Sequence, residues 1–104
     1  MRFNSDDIQN VPDESGIFCL FHDRDLVYIG RTAPRTGLRT ELEHALRMAM
    51  AEDMHALHFT FELTLHPKTR ANEELRDYYE TWGRLPQYNR PHATALQQRT
   101  ELRR

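Results

Sequence analysis

Residues 16–30 read GIFCLFHDRDLVYIG, and this stretch decides the fold. Ile17 to Phe21 is a continuous apolar run of strand-forming residue types, and Leu26 to Ile29 is a second one. The polar residues between them, His22 to Asp25, break the pattern as a turn does. The stretch therefore predicts a β-hairpin. Because the first run is apolar without alternation, we expect its strand to be central in the sheet and covered on both faces.

The residues that follow the hairpin predict a loop and then a long helix. Gly30 to Gly37 is rich in glycine, threonine and proline, a composition typical of a loop. Apolar residues then recur at the spacing of one helical face, and the pattern stops near Glu52 and Asp53. The members of this apolar stripe are Leu38, Leu42, Ala45, Leu46, Ala49 and Met50.

A third strand and a second long helix are predicted farther along. From His58 to His66 apolar and polar residues alternate strictly, which is typical of a half-buried strand. The apolar members are Phe59, Phe61, Leu63 and Leu65. Pro67 to Thr69 is interpreted as a turn in which Thr69 could cap the next helix. The apolar stripe of that helix comprises Ala71, Leu75, Tyr78, Tyr79 and Trp82, and Gly83 and Pro86 end it.

Taken together, these elements predict a single α+β domain. The expected order is β-β-α-β-α, with a three-stranded, mainly antiparallel sheet flanked by helices. We assign residues 1–10 to an N-terminal lead, 11–90 to the domain and 91–104 to a polar C-terminal tail, loosely ordered or weakly helical. A chain of 104 residues has one modest core.

Composition limits where the protein works and what chemistry it carries. No stretch approaches the roughly 18 consecutive apolar residues of a membrane span, and the N-terminus lacks the apolar core of a secretory signal. We therefore expect a cytoplasmic protein with no membrane partner. Its single cysteine, Cys19, lies among apolar residues, where a buried and inert thiol is expected.

Charge is unevenly distributed along the chain. The net charge of -2 disfavours nucleic-acid binding, because proteins that bind duplex DNA usually carry a basic surplus. The segment from Gly30 to Thr40, however, contains Arg31, Arg35 and Arg39 and no acidic residue. The planar fork of arginine matches pairs of phosphate oxygens. A generally arginine-rich composition explains the same bias equally well.

Two glycine-bearing triplets stand out within the predicted hairpin. Gly16-Ile17-Phe18 and Tyr28-Ile29-Gly30 are separated by nine residues, a spacing that brings them side by side. The pair resembles the signature of the GIY-YIG nuclease family. The resemblance spans roughly Val11 to Arg90. Within it, the family's helical Arg, helical Glu and the Asn of a closing P-x-Y-N stretch match Arg39, Glu74 and Asn89.

The resemblance implies an endonuclease that hydrolyses phosphodiester bonds in nucleic acid, in the first place DNA, with one Mg²⁺ or Mn²⁺ ion. It implies that Tyr28 lies near the attacking water, that Arg39 holds the scissile phosphate and that Glu74 binds the metal. Positive charge and a metal aimed at phosphate oxygens would lower the barrier to hydrolysis. Arg31, at a family position that commonly holds Lys or Arg, would contact phosphate together with Arg35. Asn89 is interpreted either as a catalytic residue or as a structural tie to the hairpin.

Helical geometry supports the choice of Glu74 and Arg39. At about 100° per residue, Glu74 lies roughly 80° from the middle of its apolar stripe, whereas Glu73 lies on the opposite side. Arg39 lies about 60° from the middle of the stripe on the first long helix. Both chosen side chains can therefore face a groove beside the sheet, and we expect them to converge on one cleft with Tyr28.

Two departures from the family pattern, together with the net acidic charge, favour a second hypothesis. Phe18 replaces the first tyrosine of the signature and lacks its hydroxyl. Glu43 occupies the position of a family His or Tyr, and a register with Glu41 in the place of the Arg would put a carboxylate beside the phosphate. The alternative is a catalytically weak or inactive module that binds nucleic acid or a protein partner.

Two other clusters are interpreted as structural. His55, His58 and His66 could be imagined as zinc ligands, but they straddle a helix end and a strand without cysteine support. The aromatic residues of the second long helix could form a base-stacking platform, yet their helical spacing favours a place in the core.

Overall fold

A computed structural model describes residues 1–90, and its elements confirm the predicted fold class. Both strand pairs of the three-stranded sheet are antiparallel. The tail predicted for residues 91–104 lies outside the described residues. The elements are α1 (Ser5–Ile8), β1 (Gly16–His22), β2 (Asp25–Arg31), α2 (Leu38–Ala51), β3 (His58–Leu63), α3 (Pro67–Trp82) and a 3-10 helix (Gln87–Asn89).

The two triplets lie side by side because β1 and β2 pair directly. The sheet order is β2-β1-β3, so β1 is central as predicted. Phe18 lies opposite Gly30, and Leu20 lies opposite Tyr28. A methyl group at Gly30 would collide with the Phe18 ring. The glycine of the second triplet is therefore required by the aromatic residue of the first.

The core is divided between the two faces of the sheet. The larger part lies between the sheet and α2, where Leu38, Leu42 and Ala45 are fully buried. A smaller cluster of Ile17, Ile29 and Ala71 lies between the sheet and α3. Successive residues of a strand point to opposite faces, so each strand contributes to both parts. Within residues 1–90, no helix is both long and apolar enough to cross a membrane.

The N-terminal lead packs into the larger part of the core. Ile8 is completely buried, and Phe3 is nearly so. The backbone N–H of Phe3 donates to the carbonyl of Leu57 at 2.9 Å, and the terminal amine of Met1 donates to the carbonyl of Phe59 at 3.1 Å. The lead thereby covers the start of β3 at the edge of the sheet.

Several boundaries differ from the sequence prediction. β3 ends at Leu63, and Leu65 beyond it is exposed, so the alternating pattern overestimates the strand. α3 begins at Pro67 with His66 as its N-cap, which places Thr69 inside the helix. Proline suits this first helical position because its missing N–H would have no helical partner there.

The apolar stripes of the two long helices are only partly buried. Met50 on α2 is exposed, as are Tyr79 and Trp82 on α3, so the core interpretation of these three residues is wrong. Ala71 is the only described residue of α3 that is buried. A periodic stripe specifies a face of a helix, but a three-stranded sheet is too narrow to cover all of that face.

Candidate functional site

Tyr28 is a core residue whose ring lies on the α2 face of the sheet. It is 1% exposed, and its ring centroid lies 6.0 Å from that of Phe18 at an interplanar angle of 47°. Phe18 is 3% exposed. The aromatic residues of the two triplets are thus packed against each other, away from bulk solvent.

Asn89 is buried against the outer edge of β2. Its side-chain amide donates to the carbonyl of Ile29 at 3.0 Å and accepts from the Ile29 N–H at 2.8 Å. This is the hydrogen-bond pattern of a peptide group in a neighbouring strand. Of the two interpretations of Asn89, the structural tie is the one that these contacts support.

Arg39 is directed toward the N-terminal segment. Its Nε donates to the carbonyl of Val11 at 3.0 Å, on the same side of the sheet as α2. Asp13 contacts the N-terminal end of α2. Its carboxylate accepts from the backbone N–H of Thr40 at 3.0 Å and from the Thr40 hydroxyl at 2.9 Å. These hydrogen bonds, with the backbone N–H of Thr40 the strongest cause, hold the pKa of the Asp13 carboxyl below its ordinary value.

Glu41, rather than Arg39, is the residue of α2 that faces the loop after β2. It is 2% exposed, and its carboxylate accepts from the N–H of Ala33 and the hydroxyl of Thr36, both at 3.0 Å. The Thr36 hydroxyl in turn accepts from the N–H of Ala33 at 3.0 Å. A buried carboxylate with these donors gives the loop a fixed shape. Glu41 therefore fixes the loop after β2, whereas Arg39 contacts the N-terminal segment.

Glu74 lies on the opposite face of the sheet, where it forms an ion pair with Arg70. Arg70 also donates to both carboxylate oxygens of Glu62, at 2.8 and 3.2 Å. Hydrogen bonds to Glu62 and Glu74 raise the pKa of Arg70. Beside this cluster, burial followed by the charge of Glu74 raises the pKa of the Cys19 thiol to about 11. Cys19 is partly buried, whereas the sequence predicted a buried thiol.

The three residues predicted to converge are not brought together. Tyr28 belongs to the cluster on the α2 side, whereas its neighbour Ile29 belongs to the cluster on the α3 side. The negative charge of Glu74 lies close enough to the Cys19 thiol to raise its pKa, and Cys19 packs against the α3-side cluster. The phenol and the carboxylate are therefore separated by the sheet, and the Arg39 guanidinium lies on the phenol's side.

The surroundings of Glu74 do not fit a bound magnesium ion. A guanidinium already supplies the positive charge beside this carboxylate, and it is shared with Glu62. Mg²⁺ requires oxygen ligands in near-octahedral geometry, which Arg70 would obstruct. Across residues 1–90, no group of three or more His, Cys, Asp or Glu side chains is arranged to hold a metal ion, and this includes the three histidines considered above.

A cationic groove lies at the end of the sheet where β1 begins and β2 ends. We call it the loop groove; its volume is about 470 Å³. It lies between the loop after β2 and the first turn of α3. Its lining residues are Ser15, Arg31, Thr32, Ala33, Pro34, Arg35, Thr36, Leu65, His66, Pro67, Lys68 and Thr69. Three of these side chains are cationic and none is acidic, so the groove should attract anions.

No protein-family model, curated protein or solved structure matches this chain. The resemblance to the GIY-YIG family therefore depends on the quoted residues alone.

The loop groove contains two of the three predicted phosphate-binding arginines. Arg31 and Arg35 line it, but Arg39 does not. Lys68 also lines the loop groove and was not predicted from the sequence. The turn residues Pro67-Lys68-Thr69 were recognised in the sequence, but nothing local indicates that they lie beside the arginines. The two loops, distant in sequence, meet here because β2 and β3 both run antiparallel to β1 and therefore end at the same end of the sheet.

The backbone also contributes to the positive charge of the loop groove. α3 begins there with no side-chain cap and no acidic residue in its first turn. The partial positive charge of a helix N-terminus is therefore left uncompensated by carboxylates. Arg35 lies at φ 68, a left-handed conformation that is uncommon for a residue with a side chain. This conformation directs the chain around the tip of the loop.

Proposed function

We propose that this chain is a GIY-YIG-like module that binds nucleic acid, in the first place DNA, and that has little or no nuclease activity. The observation that carries the proposal is the loop groove, whose lining includes Arg31, Arg35 and Lys68 and no acidic side chain. Contacts to phosphate dominate the affinity of most nucleic-acid-binding proteins. A groove of this charge can bind a backbone without reading its bases.

The hydroxyl groups of the groove suit the same ligand. Ser15 and Thr69 line it, and serine and threonine hydroxyls commonly donate to phosphate oxygens. The net charge of -2 describes the whole chain. It does not prevent phosphate from binding in the loop groove, because cations are concentrated there.

Weak or absent catalysis is supported by the surroundings of the residues that would carry it. Phe18 supplies no hydroxyl, and Tyr28 is buried. Burial disfavours the phenolate form of a tyrosine, so a buried phenol is a poor base unless nearby cations stabilise its anion. Arg39 donates to a backbone carbonyl, and Glu74 is paired with Arg70.

The second candidate function is the metal-dependent endonuclease that the resemblance implies. It is favoured by the paired triplets and by the contact of Asn89 with the second of them. It requires Tyr28, Arg39 and Glu74 to act from the same cleft, which would need a rearrangement around the sheet.

Binding of a labelled DNA duplex, followed by fluorescence anisotropy over a range of salt concentrations, tests the first proposal. With three cations in contact, the slope of log K against log salt should be about -2.7. Arg35→Ala and Lys68→Ala should each weaken binding and reduce the slope by about one. Arg47→Ala and Arg76→Ala are matched controls, because both side chains are exposed on helices and line neither the loop groove nor any other cavity described within residues 1–90.

Controls that weaken binding as much as the groove variants would contradict the proposal. A nicking assay with and without Mg²⁺ or Mn²⁺ decides between the two functions. Cleavage that requires the metal and disappears in Glu74→Ala would establish the nuclease. Equal background in the wild type and in this variant would exclude it.

A further inference from the structure

A second groove lies at the opposite end of the β-hairpin. We call it the turn-end groove; its volume is about 480 Å³. It lies between the β1–β2 turn, the last turn of α3 and the 3-10 helix, and it is lined in part by Arg24, Val27, Tyr78, Trp82 and Arg84. The strands have seven residues each, so the two grooves are about 20 Å apart along the hairpin. They are separate sites.

One wall of the turn-end groove is aromatic. The ring centroids of Tyr78 and Trp82 are 6.2 Å apart with an interplanar angle of 39°. Trp82 is 57% exposed, whereas the floor residues Val27 and Tyr88 are buried. A large aromatic surface beside a cavity, left exposed by the described residues, is characteristic of a binding surface, because covering it would stabilise the complex.

The rim of the turn-end groove is cationic. Arg24 and Arg84 are both exposed, and within residues 1–90 neither forms a hydrogen bond or an ion pair. The third arginine of the lining, Arg90, donates to the carbonyl of Leu85 at 3.1 Å. Asp25 is the one acidic residue of the lining. An aromatic face flanked by guanidinium groups matches a ligand that combines a flat ring with phosphate.

We propose that the turn-end groove binds an unpaired base of single-stranded nucleic acid. The base would stack on Trp82 and Tyr78, and the flanking phosphates would pair with Arg24 and Arg84. A base within a duplex cannot present its face to a protein ring, since both of its faces are covered by neighbouring bases. The inference rests on the proposed function, because it adds a single-strand contact to the phosphate contacts of the loop groove.

The single tryptophan of the chain makes the inference directly measurable. Trp82 is the only fluorescent indole, so quenching by a bound base reports on this groove alone. Titration of the wild-type protein with a short oligothymidylate should quench the fluorescence, whereas a blunt duplex should leave it unchanged. Trp82→Ala should weaken binding of the oligothymidylate about five-fold or more, and Trp82→Phe should retain most of it.

Tyr79→Ala is the matched control, because Tyr79 is 55% exposed on the same helix but does not line the groove. Circular dichroism shows whether each variant keeps its helices. An unquenched wild-type protein, or a Tyr79→Ala effect as large as that of Trp82→Ala, would overturn the inference. If Arg35→Ala weakens binding of the duplex while the oligothymidylate does not quench Trp82, the turn-end groove fails and the proposed function stands. Binding of the duplex that Arg35→Ala and Lys68→Ala leave unchanged would instead refute the loop groove, whether or not the oligothymidylate quenches Trp82.

Discussion

At the scale of single residues, Asn89 completes the edge of the sheet. An edge strand exposes unpaired N–H and C=O groups, and at Ile29 both groups are paired with one side-chain amide. Because the pair is buried, removing it would leave two polar backbone groups without partners. In this chain, the Asn of the closing P-x-Y-N stretch therefore has a structural role that does not depend on catalysis.

Asn89→Ala should therefore lower the free energy of unfolding by about 2 to 4 kcal/mol, the expected penalty for two buried groups left unsatisfied. Urea denaturation measures the change. Asn89→Asp should also destabilise the protein, because it keeps the acceptor for the Ile29 N–H but loses the donor to the Ile29 carbonyl. Gln87→Ala, at an exposed position of the same 3-10 helix, is the control. A loss no larger than that of the control would show that the amide is not the tie.

At the scale of elements, α2 is capped by a residue that is distant from it in sequence. Gly37 occupies the N-cap and offers no side-chain oxygen. Asp13 accepts the N–H of Thr40 instead, and a side chain at position 37 would collide with Asp13. The glycine thus makes room for an external cap. The same end of α2 is tied to the N-terminal segment by Arg39, so the predicted catalytic arginine stabilises the fold here.

Asp13→Ala should cost about 1 kcal/mol at neutral pH, as expected for the loss of an N-cap. The pKa of Asp13 is lower in the folded state than its ordinary value of 3.8, so its contribution is complete above that value and is lost as the pH falls through the lowered pKa. The difference between wild type and Asp13→Ala, measured by urea denaturation, should therefore shrink below about pH 4. Glu14→Ala, an exposed neighbour, should show no such difference. A constant difference at all pH values would rule out the charged cap.

At the scale of the whole molecule, charge and packing are both organised around the hairpin. The cationic loop groove and the turn-end groove lie at its two ends. Four of the sixteen acidic residues, Asp6, Asp7, Asp13 and Glu14, lie in the N-terminal part of the chain and line neither groove. The same part supplies Ile8 to the core and so helps to hold the domain together.

Ile8→Ala should lower the free energy of unfolding by about 2 to 5 kcal/mol, because it leaves a cavity in the larger part of the core. The measurement is again urea denaturation, with Asp6→Ala as the control in the same short helix. A change below about 1 kcal/mol would mean that the lead is dispensable to the fold.

The sequence by itself determined the hairpin, the central position of β1, the first long helix and the end of the second at Gly83, where φ is 71. These features follow from local patterns of apolar residues and from turn residues, which act over a few positions. The sequence also singled out Asn89, but it left open whether this residue is catalytic or structural.

Only the tertiary structure decided which side chains share a surface. It separated Tyr28 from Glu74 across the sheet, turned Glu41 toward the loop and joined Lys68 to the distant arginines. It also left Trp82 exposed beside a cavity, although its spacing on the helix favoured burial. The physical reason is that periodicity specifies the face of an element on which a residue lies. What covers that face depends on the size and the placement of the elements packed against it.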